Sequence, residues 1–158
     1  MATRAQKVGA AAAIAAALAA PAEGLRQYAY RDPVGIPTIC FGSTKGVRMG
    51  DTATVEQCRE LLTREMLEAV DQVDRCQPGL PVEVLAAFAD ATYNLGPGVA
   101  CDTSRSTAAR LLAARRYAEA CDQLLRWDRA RIAGAMVALP GLTKRRAAER
   151  EVCRRGAA

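Results

Sequence analysis

Two carboxylates and a threonine are gathered in one short stretch, EGLRQYAYRDPVGIPT, which runs from Glu23 to Thr38. Glu23 follows an alanine-rich segment, and Asp32 stands before Pro33 in a turn-rich one. A carboxyl at the end of a helix that enters a domain interface is partly withdrawn from water and keeps its proton more readily, whereas one in a polar turn stays ionised. Two carboxyls in opposed environments make an acid and a base, and Thr38 on the facing strand could hold a water against Asp32. Acid, base and positioned water are what inverting glycoside hydrolysis requires. The same spacing also fits an exposed glutamate and an aspartate capping the Pro33 turn, so these residues taken pairwise leave both readings open.

The chain has no histidine. That excludes a Ser-His-Asp triad, a Cys-His pair and histidine-ligated zinc, and leaves general acid–base work to carboxylates. Cysteines stand at Cys40, Cys58, Cys76, Cys101, Cys121 and Cys153 with no CxxC among them. Scattered cysteines in even number suit disulfides and an oxidising compartment; the alternative is reduced core thiols in the cytosol. Neighbours paired in chain order are the expected bridges, although spacing leaves the connectivity open. Neither a metal nor a cofactor is expected. The net charge of +5 and pI near 9.1 favour an anionic partner, whether nucleic acid, anionic lipid or bacterial wall polymer. Arginines are dispersed and no aromatic-basic groove motif occurs, which argues against nucleic acid.

These side chains must be positioned by the elements around them. The length of 158 residues suggests one domain, and a composition half apolar, rich in alanine and leucine and poor in aromatics, suggests a mainly helical core. Arg4 and Lys7 precede an uncharged run from Val8 to Ala22. The run is shorter and less hydrophobic than an ordinary membrane span, and the basic flank would keep the N-terminus in the cytoplasm. It reads as a cleaved signal peptide, as a permanent anchor, as a signal-anchor that later leaves the bilayer uncleaved, or as a soluble alanine-rich helix. We take residues 1–22 as a weak transmembrane signal-anchor and 23–158 as the functional domain. Pro21 should kink that helix or start a new turn, and Gly24 should stop it. Residues 28–48 read as a small antiparallel sheet. Thr54 and Gln57 form a capping box ahead of an amphipathic helix with Leu61, Leu62, Met66, Ala69, Val70 and Val73 on one side. VEVLAAFADATY should be a buried central helix, Asn94 to Gly98 a turn, and 105–115, 117–127 and 143–154 further helices. The expected fold class is α+β, a small sheet lobe beside a helical lobe with a cleft between them.

The complete pattern EGLR-x3-Y-x-D-x2-G-x2-T-x3-G, Glu23 to Gly42, resembles the T-even-type phage lysozymes, glycoside hydrolase family 24. ATYNLGPG with STAARLL, and RW followed by PGLTKRRAAEREVC, resemble that family's central and C-terminal regions in the same order. With the N-terminal segment and the cysteines, the chain is similar to the family's signal-anchor-release endolysins. The resemblance implies a lysozyme-like fold and an enzyme that cleaves the β-1,4 bond between N-acetylmuramic acid and N-acetylglucosamine in peptidoglycan. It implies Glu23 as general acid, Asp32 as general base or water-holding carboxylate, and Thr38 as an orienting hydroxyl. Gly42 and Thr44 match the strand edge lining the family's sugar cleft, and Asn94 either hydrogen-bonds substrate or caps its turn. Ser43 stands where many relatives have histidine, and ACDTSRST lacks an aromatic that relatives often carry. Arg145 and Arg146 are either a solvated basic face or partners of Glu23, with Glu149 their local partner and Trp127 a core residue. The implied life history is a monomer tethered in the host inner membrane and then free in the periplasm, with the released alanine helix carrying Glu23 into place. Leucine at Ala13 and Ala16 should hold it in the membrane. A second reading is a non-catalytic, disulfide-braced module that binds wall polymer.

Overall fold

The computed structural model describes residues 1–158. Its first element, α1, spans Arg4–Glu23. Alanine's helix propensity sustains it, and Thr3 caps it: the Thr3 hydroxyl accepts from the Gln6 amide at 3.1 Å while the Gln6 side chain accepts from the Thr3 amide at 2.8 Å. Pro21 lies inside the last turn and neither ends the helix nor begins another. The carbonyl that its missing N–H leaves free is that of Ala17, on the exposed side. Gly24 terminates the helix at φ +73, its amide donating to the Ala20 carbonyl.

Two short strands follow, β1 (Arg26–Arg31) and β2 (Pro37–Cys40), antiparallel with Tyr30 opposite Thr38. The sheet is shorter than the sequence suggested and starts earlier. It stops at Cys40, which takes a positive φ of 62° ahead of Gly42 at 90° and cannot extend a ladder. Next come α2 (Val55–Cys76), α3 (Val82–Leu95), the short α4 (Gly98–Cys101), α5 (Thr107–Ala113), α6 (Tyr117–Gln123) and a 3₁₀ turn at Leu124–Arg126. The Thr54–Gln57 capping box forms as expected. Helix α3 is buried on every side from Val84 to Thr92, as a helix with apolar residues on every side must be, Asp90 being its one buried charge.

A second hairpin was not anticipated: β3 (Arg129–Ile132) pairs with β4 (Ala135–Ala138). Its residues are mostly helix formers, and the signal is local: Ala133 and Gly134 both take positive φ, 49° and 85°, which closes a two-residue turn. The last helix, α7 (Pro140–Ala157), begins earlier than expected because Pro140 can occupy a first helical position.

Helices α1, α2 and α7 pack around α3. Ala11, Ala12, Ala15 and Ala19 of α1 are at most 1 % exposed, so the alanine-rich segment is part of the core here. Disulfides join Cys40–Cys58, Cys76–Cys101 and Cys121–Cys153, neighbours in chain order. The first ties the end of β2 to the opening turn of α2, the second α2 to α4, and the third α6 to α7.

Candidate active site

The C-terminal end of α1 delivers Glu23 to a cleft of about 550 Å³. Gly42, Thr44 and Lys45 form the rim after β2; Glu65, Glu68 and Gln72 come from α2; Thr92, Tyr93 and Asn94 come from the end of α3. A second cavity, of about 330 Å³, lies against Glu23 and Asn94 from the side of α7. Glu23 is therefore approached by open space on two sides.

Two neighbours fix the Glu23 carboxylate. Arg145 Nη1 donates to its Oε1 at 2.6 Å. Gly42 approaches so closely that a Cβ there would sit 3.1 Å from Oε2. Arg145 is itself held by Asp90, with Nη2 to Oδ1 at 2.7 Å and Nε to Oδ2 at 3.0 Å. The arginine side chain is 4 % exposed and the glutamate 24 %, so the pair is sheltered while the carboxylate still reaches the cleft. Burial acts against the Arg145 charge, but Asp90 and then Glu23 outweigh it, and the guanidinium is held above its ordinary range.

Behind this layer Arg146 donates to Glu149 Oε1 at 2.7 Å, both side chains fully buried. The solvated-face reading of Arg145 and Arg146 is corrected: both point inward from α7. Burial pushes the Glu149 carboxyl well above its ordinary range, Asp90 pushing the same way and the two arginines the other. Burial lowers Arg146. The Tyr93 hydroxyl lies 3.0 Å from Glu65 Oε2 and 3.3 Å from the Phe41 carbonyl, so one proton is shared between α2 and the sheet lobe. Burial first, then the Glu65 charge, raise that phenol above its usual value.

The cleft brings together Glu23, Gly42, Thr44 and Asn94. It does not bring Asp32 and Thr38 into its lining. Asp32 sits in the β1–β2 turn, where Oδ1 accepts from the amides of Val34 at 3.0 Å and Ile36 at 2.8 Å. That is the turn-capping role the residue pair alone allowed. Thr38 is buried on β2, its hydroxyl donating to the Ile36 carbonyl at 2.9 Å. Asn94 does not cap a turn: it belongs to α3, and its Oδ1 is buried without a partner, as is Thr92 Oγ1 in the same lining. Ser43 is buried with its hydroxyl also unpaired. Trp127 is half-buried and packs against the core.

Sequence reasoning missed Asp90, Glu65, Glu68 and Tyr93. Asp90 had a signal: it interrupts an otherwise apolar run, and an acid inside a buried helix requires a partner. Glu65, Glu68 and Gln72 had none: they share one helical face, but that spacing does not tell which polar edge of α2 borders a cleft.

Residues 20–149 match the sequence model of the family described as phage lysozyme. The chain is 41 % identical to the SAR-endolysin of Pseudomonas phage phiKMV over 145 residues, covering 90 % of this chain and 88 % of that one. Among solved structures, the muramidase domain of SpmX from Asticaccaulis excentricus superposes with a TM-score of 0.78 at 28 % identity, over 87 % of this chain and 92 % of that one. The active form of the P1 phage endolysin Lyz gives 0.78 at 24 % identity, over 92 % and 85 %, and shares the fold.

Proposed function

The chain belongs to the phage lysozyme family, whose members are glycoside hydrolases, and we propose that it is an endolysin that hydrolyses the β-1,4 bond between N-acetylmuramic acid and N-acetylglucosamine in peptidoglycan. The observation that carries this is Glu23: a sheltered carboxyl lining the cleft, held by Arg145 and given room by the absence of a side chain at Gly42. In this reading Glu23 gives its proton to the glycosidic oxygen as the bond from C1 to that oxygen breaks. A water attacks C1 from the opposite face and passes its proton to Asp32, with inversion at C1. Both amide bonds to Asp32 fall on Oδ1, which leaves Oδ2 without a protein partner and able to hold that water. Thr38 orients the same water by exchanging its bond to the Ile36 carbonyl. Asn94 binds the sugar from the α3 side of the cleft, and the rim at Gly42 and Thr44 lies against the glycan strand.

Helix α1 is long and apolar enough to cross a membrane by length and composition. The N-terminal segment is the tether of a form held in the host inner membrane, and the arrangement described here is the released, periplasmic one, in which α1 packs on α3 and sets Glu23 in place. Tethered, Glu23 would sit at the bilayer face and away from the cleft.

The test is Glu23→Gln on purified, disulfide-intact protein, read by loss of turbidity of wall suspensions and by reducing-end analysis of the digest. Loss of activity with unchanged folding and muramic-acid reducing ends support the assignment. Retained lysis by Glu23→Gln would instead favour the non-catalytic wall-binding module.

A further inference from the structure

We propose that Asp90 is a positioning residue for the hydrolysis: it turns the Arg145 guanidinium so that one N–H aims at Glu23 while the aspartate answers the arginine's charge. The inference rests on Glu23 being the acid. Its starting point is a conflict in the site. An acid must arrive at the substrate with its proton, yet Glu23 has a guanidinium 2.6 Å away, and a cation at that distance favours the ionised carboxylate. An arginine facing Glu23 alone would orient the acid and at the same time strip it.

The geometry separates the two effects. Asp90 is fully buried at the centre of α3 and takes two of the Arg145 donors, Nε and Nη2, in the bidentate arrangement that fixes a guanidinium plane. Only Nη1 is left for Glu23. Arg145 is thus pinned from behind by a group that never meets the cleft, since Asp90 is absent from its lining.

The other charges around Glu23 agree with this division. From α7, Arg146 and Glu149 pair with each other behind Arg145. From α3, Tyr93 faces the acid as a neutral phenol. Glu65 and Glu68 of α2 and Lys45 of the rim line the far side of the cleft. None of these makes an ion pair with Arg145 shorter than its bonds to Asp90 and Glu23; Glu149 is the next, at 3.9 Å.

The experiment measures kcat/KM against pH on soluble wall fragments for the wild type, Asp90→Asn, Arg145→Gln and the double variant, with Glu23→Gln alongside. The expectation is that the alkaline limb of the profile moves down by about one pH unit in Asp90→Asn, a tenfold change in proton affinity, moves up in Arg145→Gln, and in the double variant stays with that of Arg145→Gln, because Asp90 acts through the arginine. Removing both partners of a buried pair also costs less folding stability than removing one. Should Asp90→Asn fail to fold, the other two still decide: a double variant whose limb departs from that of Arg145→Gln overturns the proposal, because Asp90 would then act on Glu23 without the arginine. So does an Asp90→Asn profile that superimposes on the wild type after scaling, which is the mark of a purely structural role. Activity remaining in Glu23→Gln would sink the assignment of the acid instead, and is read separately.

Discussion

Leucine substitutions along α1 separate two roles that the proposed function assigns to one helix. Ala13 and Ala17 are exposed in the folded lobe, whereas Ala11 and Ala15 are fully buried against it. Alanine to leucine adds three carbons. In a bilayer these are worth at most about 2.4 kcal/mol per site at about 0.8 kcal/mol per buried carbon, and nearer 0.5 kcal/mol on insertion scales. That gain is the same at Ala13 and Ala15. In the lobe the two differ. Ala13→Leu places its atoms in water, but Ala15→Leu forces them into the closed interface between α1 and the rest of the lobe, an overpacking cost of about 1–3 kcal/mol. Both variants should be retained in membranes more than the wild type, and Ala15→Leu more than Ala13→Leu by about 5-fold to 150-fold in the equilibrium constant. Among released molecules Ala15→Leu should unfold about 2–12 °C lower, with Ala13→Leu unchanged. Fractionation of cells before and after membrane depolarisation gives the first quantity, and calorimetry of the soluble protein gives the second. Equal retention and equal melting temperatures for the two variants would refute the packing of α1 in the released protein. Ala16 is half-buried, so a combined Ala13 and Ala16 change mixes both effects.

Gly42→Ala should lower activity more than stability, because the new Cβ would press on Glu23 Oε2 from 3.1 Å and the backbone there has φ +90; an expected stability loss of about 1–2 kcal/mol and a tenfold or larger fall in kcat/KM are checked by denaturant titration and wall digestion. Glu149 holds its proton in the folded state beyond the usual carboxyl range of 4.5, so its contribution to stability is full below that pH and is lost as pH rises toward the folded-state value. Glu149→Gln cannot ionise; its melting temperature relative to the wild type should therefore climb between pH 4 and pH 9, and a constant difference would contradict the buried, protonated carboxyl. Replacing Cys40 and Cys58 together by serine removes a bridge across 18 residues and should cost about 3 kcal/mol, lowering the unfolding midpoint measured in urea while leaving the other two bridges intact. Tyr93→Phe should loosen the tie between α2 and the sheet lobe, a loss of about 1 kcal/mol for a part-buried hydrogen bond, seen as faster amide exchange near Phe41.

Several features were legible because they are written in neighbouring residues. The capping box at Thr54, the apolar stripe of α2 and the mainly apolar α3 depend on spacings of three and four, which a helix converts directly into faces. The β3–β4 hairpin was not, since Ala133 and Gly134 look like any helix-compatible pair until the chain around them leaves no helix to join. The site divides in the same way. Glu23, Gly42, Thr44 and Asn94 could be named in advance, but Glu65 and Glu68 could not, because nothing local tells which polar edge of α2 borders a cleft.

The amino-acid order by itself determined that acid–base chemistry here must run on carboxylates, since no histidine exists, and that a weakly apolar helix precedes the first of them. Only the tertiary structure decided what that carboxylate faces. Arg145 lies 122 residues from Glu23 in the chain, and Asp90 lies 55 from Arg145. Contacts of that range are chosen by how α1, α3 and α7 pack, and a buried charge accepts whichever partner the packing brings within hydrogen-bond reach because an unpaired one is too costly to bury.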